Sequence, residues 1–307
     1  MSLTSMVKTN KPVRDLLCSY LPKSSDYISS TSFPAFSKKN EIAVPPLVDS
    51  KYSGFIGTCS DYLIRFYVAR MIHDQTVLKN TVAETGMLRL KGKMNERSGA
   101  SLEKAFITQK EKVKAFIDGT GRVNEIFYPC IMFANFDNIV RVGIRYSTIK
   151  EAAMAAVSAP DMDAVKEVVE IGNIFIKVVH TEKLLQKDST VVFNPKFGRY
   201  GAFCGGADAD IYIDGCLYDF KSTKDIGYHR DYTAQLLGYY FLSRICDDLH
   251  EGDLVSQQIK YLGIYFSRYG VICKVPVPEI PQEAIEEFKV NIALANEKKS
   301  IKNSTGD

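Results

Sequence analysis

The chain has 307 residues, is 46% apolar and 24% charged, and carries a net charge of +3. That is enough for one large domain or two small ones, and it excludes a disordered or collagen-like polymer. A near-neutral total neither demands nor excludes a nucleic-acid partner, because a local basic surface can be offset elsewhere.

No apolar run reaches the ~20 residues of a bilayer span, so no membrane partner is expected. Met1 to Lys11 is polar and lacks the apolar stretch of a secretory signal. The seven cysteines, at 18, 59, 130, 204, 216, 246 and 273, are scattered and form no CxxC pair. They read as free, mostly buried thiols of a cytoplasmic protein. An iron–sulfur cluster gathered from distant cysteines has no local signature.

In chain order, residues 1–56 read as loop and short elements, with Pro45-Pro46 as a break. Gly57 to Met71 predicts a helix with Tyr62, Leu63, Phe66 and Ala69 on its apolar stripe and Thr58 as a candidate N-cap. Within it, Asp61 and Arg65 are spaced to pair along one face, which predicts a bracing helix. Arg65 and Arg70 are alternative contacts to nucleic acid. Residues 86–114 hold eight Lys/Arg against three Glu, a solvated face or a phosphate-binding one. Ser101 to Ile117 is helical in pattern, with Ser101 as a candidate cap. Ile126 to Tyr146 reads as two short strands around Asn135 to Asn138.

Asp161 to His180 predicts a long helix that starts after Pro160. Tyr261 to Phe266 and Val271 to Val277 read as strands, and Gln282 to Asn296 as a terminal helix. The simplest organisation has a mainly helical N-terminal part over 1–120, an α/β core over 121–297 and a flexible tail over 298–307.

The chemistry concentrates between residues 204 and 240. Asp214-Gly215 between two strand-like runs predicts a two-residue hairpin turn. That turn pairs Ile213 with Cys216, Ile211 with Tyr218 and Ala209 with Phe220, one apolar face that must pack on helices. On the opposite face Asp210 lies across from Asp219, and Asp208 across from Lys221. Directly opposed Cβ atoms sit about 4.5–5.5 Å apart. Two carboxylates so close repel and raise each other's pKa, and a divalent cation between them resolves the conflict. Oxygen ligands of this type suit Mg²⁺ or Mn²⁺. A one-residue slip of register would bury the aspartates in the core face. Asp208 shares the face with Asp210, so it is a second ligand or the principal one. Asp214 is a turn residue. In the following helix Gln235 and Tyr239 share one side.

This arrangement resembles the PD-(D/E)XK nuclease superfamily, most closely its RecB-like branch. The matching positions are Asp210 (or Asp208), Asp219-Phe220-Lys221, and Gln235-Leu236-Leu237-Gly238-Tyr239. The family's proline before the first acid is replaced by Ala207 or Ala209. The likeness covers about residues 200–240 and extends loosely to Gly263–Phe266. It implies a restriction-endonuclease-like three-layer αβα core with a mixed central sheet and an N-terminal helical elaboration. It also implies Mg²⁺- or Mn²⁺-dependent hydrolysis of DNA, with the RecB-like branch tilting toward exonuclease or end-processing action. The implied metal ligands are Asp210, Asp219, Asp208 and an upstream helical acid, for which Glu170 is the choice and Glu167, Glu84 and Glu125 are the options. His180 is a further candidate by position. Lys221 would position the attacking water, Gln235 would orient Lys221 or touch the DNA backbone, and Tyr239 would support it by packing. Lys91, Lys93, Arg97, Lys221, Lys224 and Arg230 could meet phosphates. The alternatives are a restriction-like endonuclease, an RNA nuclease, and a non-catalytic nuclease-fold protein that binds nucleic acid or serves a phage or defence complex.

Overall fold

The computed structural model describes residues 2–158 and 161–305, with side chains described through residue 298. The elements in chain order are α1 (Leu3–Thr9), α2 (Lys11–Ser19), β1 (Ile28–Ser29), α3 (Ser53–Ile72), α4 (Val82–Lys91), α5 (Glu96–Ile117), α6 (Phe127–Arg141), α7 (Ile149–Ala156), α8 (Met162–Thr181), β2 (Val191–Phe193), α9 (Gly198–Phe203), β3 (Ile211–Ile213), β4 (Cys216–Lys221), α10 (Arg230–Leu249), β5 (Tyr261–Phe266), β6 (Val271–Pro276) and α11 (Gln282–Thr305).

The six strands form one sheet in the order β1-β6-β5-β4-β3-β2. It is mixed: β4 and β5 run parallel and the other pairs antiparallel. The parallel pair requires a crossover, and α10 provides it. Each face of the sheet carries its own apolar core. One core joins α3, α6 and α8 to Ile211, Ile213, Tyr218, Tyr265 and Ile272. The other joins α1, α2, α10 and α11 to Tyr212, Leu217, Leu262, Ile264 and Phe266. Helices therefore cover both faces, an α/β arrangement of three layers.

Several expectations change. Residues 1–56 contain α1 and α2, which pack on α10, and β1, which pairs with β6 at one sheet edge. α2 starts with a built cap: the Asn10 side chain accepts from Val13 N. α3 begins at Ser53, so Thr58 is no cap, and its hydroxyl donates back to Gly54 O inside the helix. Likewise α5 is capped by Asn95, and Ser101 lies within it. The two strands expected over Ile126 to Tyr146 are replaced by the single helix α6, which is apolar on nearly every side because it is buried among other helices. The helical part consequently runs on past residue 120, through α6 to α8.

Asp161 caps α8 by accepting from Asp163 N and Ala164 N, while Pro160 lies outside the described residues. In the expected tail, backbone helix reaches Thr305, and residues 306–307 lie outside the described residues. No described helix is long and apolar enough to cross a membrane.

α4 and α6 approach so closely that a Cβ on Gly86 would stand 1.9 Å from the Phe136 carbonyl oxygen. Backbone cannot rotate aside as a side chain can. Gly86→Ala is expected to cost about 3 kcal/mol or more, the upper range for overpacking, read as a lower urea midpoint.

Candidate metal and catalytic site

The β3–β4 hairpin forms in the predicted register, with Ile211 opposite Tyr218, Tyr212 opposite Leu217 and Ile213 opposite Cys216. Asp214 (φ 44°) and Gly215 (φ 89°) both take the left-handed conformation that a type I′ turn needs. The Asp214 carboxylate also accepts from Ser189 Oγ at 2.6 Å and Thr190 N at 2.8 Å, which ties the turn to β2. It is a turn residue.

Continued by one residue, the ladder sets Asp210 opposite Asp219. Regular pairing stops there, because Phe220 N donates to the Asp210 carboxylate rather than to a strand carbonyl. The expected Ala209–Phe220 pair is thereby lost, and Ala209 packs into the core on the α10 side.

Asp208 departs from the predicted position opposite Lys221. It bridges instead to Lys196, and its Oδ2 lies 3.4 Å from Arg141 and 3.5 Å from Asn194 Nδ2. The choice between the two acids thus goes to Asp210 by position.

Asp219 is 3% exposed, and its Oδ2 stands 2.5 Å from the Lys221 ammonium. That contact is an ion pair without hydrogen-bond alignment, since the same oxygen has no aligned donor. Lys221 Nζ also donates to Gln235 Oε1 at 3.2 Å, and Gln235 Nε2 donates to the Tyr239 hydroxyl at 2.8 Å. Tyr239 stacks on Phe197, with centroids 5.4 Å apart and rings 8° from parallel. The Tyr232 ring lies 4.6 Å from the ammonium, near enough for a cation–π contact. The four residues Asp219, Lys221, Gln235 and Tyr239 form one connected chain.

Asp61 of α3 is the upstream acid whose charge acts on Asp210. Its field, together with that of Asp219, adds to burial in pushing the Asp210 carboxyl well above its ordinary range. Burial also raises Asp61, against the opposing pull of Arg65. Asp219 is raised by burial and partly held down by Lys221. Burial acts to lower Lys221, yet the Asp219 and Asp210 carboxylates outweigh it and the ammonium is held above its usual range.

Glu170 is exposed on α8. Glu167 is fully buried in an ion pair with Arg268, Glu84 pairs with Lys110, and Glu125 accepts from Arg122 N. His180 is exposed at the end of α8. Asp61 is the one acid of α3, which is the only mark the sequence sets on it.

Arg65 is 5% exposed, pairs with Asp61 and lies against the Tyr62 ring. Arg70 donates to Phe116 O and Gly121 O. Both arginines are structural. Asp137, buried in the helix misread as strands, joins Arg141 and accepts from the Tyr62 hydroxyl at 3.1 Å. Beside this network opens a cavity of about 650 Å³, bordered by Arg65, Asp137, Phe197 and Asp208.

Among the described residues no group of three or more His, Cys, Asp or Glu side chains is arranged to hold a metal ion. The donor set still fits Mg²⁺ or Mn²⁺. Mg²⁺ keeps several waters and takes only one or two protein carboxylates plus substrate phosphates. Asp210 and Asp219 are two hard oxygen donors, and beyond burial the fields of Asp61 and Asp219 at Asp210 favour a cation there.

The raised carboxyl has a consequence for stability. The native state holds the Asp210 proton more tightly than the unfolded chain does, so stability falls as pH rises from about the ordinary value of 3.8 through the folded pKa. Asp210→Asn keeps an acceptor for Phe220 N and removes the charge. In metal-free buffer it is expected to stabilise the fold at pH 7 by roughly 1–3 kcal/mol, the usual cost of an imperfectly paired buried polar group. The gain should shrink toward pH 4 in thermal melts.

No family model, curated protein or solved structure matches the chain at a significant level.

Proposed function

We propose that the chain is a Mg²⁺- or Mn²⁺-dependent phosphodiesterase acting on DNA, with exonuclease or end-processing action. The observation that carries this reading is the opposed Asp210 and Asp219 beside a lysine held by Gln235. A metal ion bound there supplies Lewis acidity and lowers the pKa of a coordinated water.

The protein's own part is positioning. Asp210 and Asp219 provide carboxylate oxygens, and Asp61 is the third acid that favours a cation at this place. Lys221 offers a fixed ammonium to the attacking water or to a phosphate oxygen, where developing negative charge needs it. Gln235 accepts one of its protons and so fixes its direction. Tyr239 anchors Gln235, and the Phe197 stack anchors Tyr239. Six of the seven unpaired thiols are buried, which suits a reducing cytoplasm.

The test is cleavage with Mg²⁺ or Mn²⁺ of linear duplex, single-stranded and closed circular DNA. Wild type is expected to degrade substrates with ends and spare the closed circle. Lys221→Ala should be at least about 10²-fold slower, the scale of a positioned proton-transfer or charge-stabilising group. Cleavage of the circle would make the protein an endonuclease, and cleavage of RNA alone an RNA nuclease. No cleavage by folded wild type would leave a non-catalytic binding protein.

A further inference from the structure

Three side chains surround the Lys221 ammonium. Asp219 pairs with it at 2.5 Å, and Gln235 Oε1 accepts from it at 3.2 Å. The third is Tyr232, whose ring centroid lies 4.6 Å from Nζ. Tyr232, Gln235 and Tyr239 follow one another at i, i+3 and i+7 along α10, so they share the stripe of that helix that meets Lys221.

The three neighbours differ in kind. Asp219 and Gln235 are buried, 3% and 8% exposed, and Tyr232 is the one that reaches solvent. Its ring is steadied in turn by the exposed His229 ring, 4.8 Å away and tilted by 48°. An ammonium carries three donors at the end of a flexible four-carbon stem, so one carboxylate and one amide oxygen leave it room to swing. The negative face of an aromatic ring holds a cation without a directed bond, and more strongly where water is scarce. The Lys221 side chain is only 17% exposed, close to that condition. Asp219 is also the partner that the proposed reaction claims for a second purpose. Its oxygens would serve a cation, and its pull on the ammonium weakens as that charge is shared. The ring has no such second duty.

We propose that Tyr232 is a positioning residue for Lys221, its ring face keeping the ammonium in place when Asp219 does not. The purpose of the lysine rests on the nuclease reading. Its placement by the ring rests on the contact alone.

Placement is tested without cleavage, by carbon–proton NMR of lysine-labelled protein in EDTA. The protons next to the Lys221 ammonium lie by the ring face and should resonate upfield of those of exposed lysines such as Lys38. The signal is assigned by its absence from Lys221→Arg. It should stay upfield in Tyr232→Phe and in Asp219→Asn, and join the exposed lysines in Tyr232→Leu. A wild-type signal among the exposed lysines overturns the proposal. So does a shift lost in Asp219→Asn, which would make the carboxylate the sole holder. Purpose is tested by steady-state DNA cleavage with Mg²⁺. Tyr232→Leu is expected to lower kcat by about 3- to 30-fold, the range that one cation–π contact covers. KM should stay within about twofold, because an effect confined to kcat marks a group that acts on the reacting state. Tyr232→Phe keeps the ring and should hold kcat within about twofold of wild type. A leucine variant with wild-type kcat, or a phenylalanine variant as slow as the leucine one, overturns the proposal. A folded wild type that shows the shifted signal yet cleaves nothing would overturn the nuclease reading and leave the placement standing.

Discussion

Asp219→Asn is expected to lose Mn²⁺ binding in calorimetry and to slow DNA cleavage by about 10²–10⁴-fold, the range for removing one group that supports the transition state. The substitution is isosteric, and the side chain it replaces is almost wholly buried on β4. The fold should therefore survive, and near-wild-type melts would show that it has. Its effect reaches beyond the metal. Asp219 is the chief partner that holds the Lys221 ammonium charged against burial. Without it the lysine pKa should fall, so any residual activity should show a basic limb shifted to lower pH. Wild-type Mn²⁺ affinity in this variant would refute the placement of the cation.

The largest stability effect is expected elsewhere. Glu167 on α8 and Arg268, just after β5, form an ion pair in which both side chains are no more than 2% exposed. Glu167 also accepts from Leu47 N at 2.7 Å and Val48 N at 3.3 Å. Arg268 donates to Ser222 O at 2.7 Å and Val44 O at 3.2 Å. The pair thus fastens the loop before α3 to the residue that follows Lys221. Glu167→Ala leaves a buried guanidinium without its counter-charge and should cost about 3–5 kcal/mol in urea denaturation. Glu167→Met/Arg268→Met should cost less than either single change, because no charge is left stranded. A double variant as unstable as the sum of the singles would show that the pair is not coupled.

The hairpin was legible because two independent signals agreed on it. Asp214-Gly215 selects the turn, and the alternation of Ile211, Ile213, Cys216 and Tyr218 selects the face. Strand and helix periodicity put Lys221 on the face of Asp219 and set Gln235 and Tyr239 on one side of α10, while the link between the two came only from the family resemblance. α6 was not legible for the opposite reason. A helix buried on nearly all sides loses its polar stripe, and its apolar residues then resemble those of a strand. Asp61 failed for a related cause. Its spacing to Arg65 is that of any surface ion pair, and only the packing of α3 against α6, α8 and β4 brings its charge to act on Asp210. Asp208 shows the limit of register reasoning, because a strand can leave its ladder before the pattern suggests.

The first residues of the chain close the far side of the molecule. α1 and α2 rest on α10, where Leu3 approaches Gly238, and β1 completes the sheet only by pairing with β6. These partners are synthesised more than two hundred residues apart. During synthesis α1, α2 and β1 emerge well before α10 and β6 and cannot take their places until those partners have appeared. Such long-range closure slows folding, and it leaves the apolar faces of α1 and α2 uncovered for most of synthesis. Removing these two helices would strip cover from the helix that holds Gln235 and Tyr239.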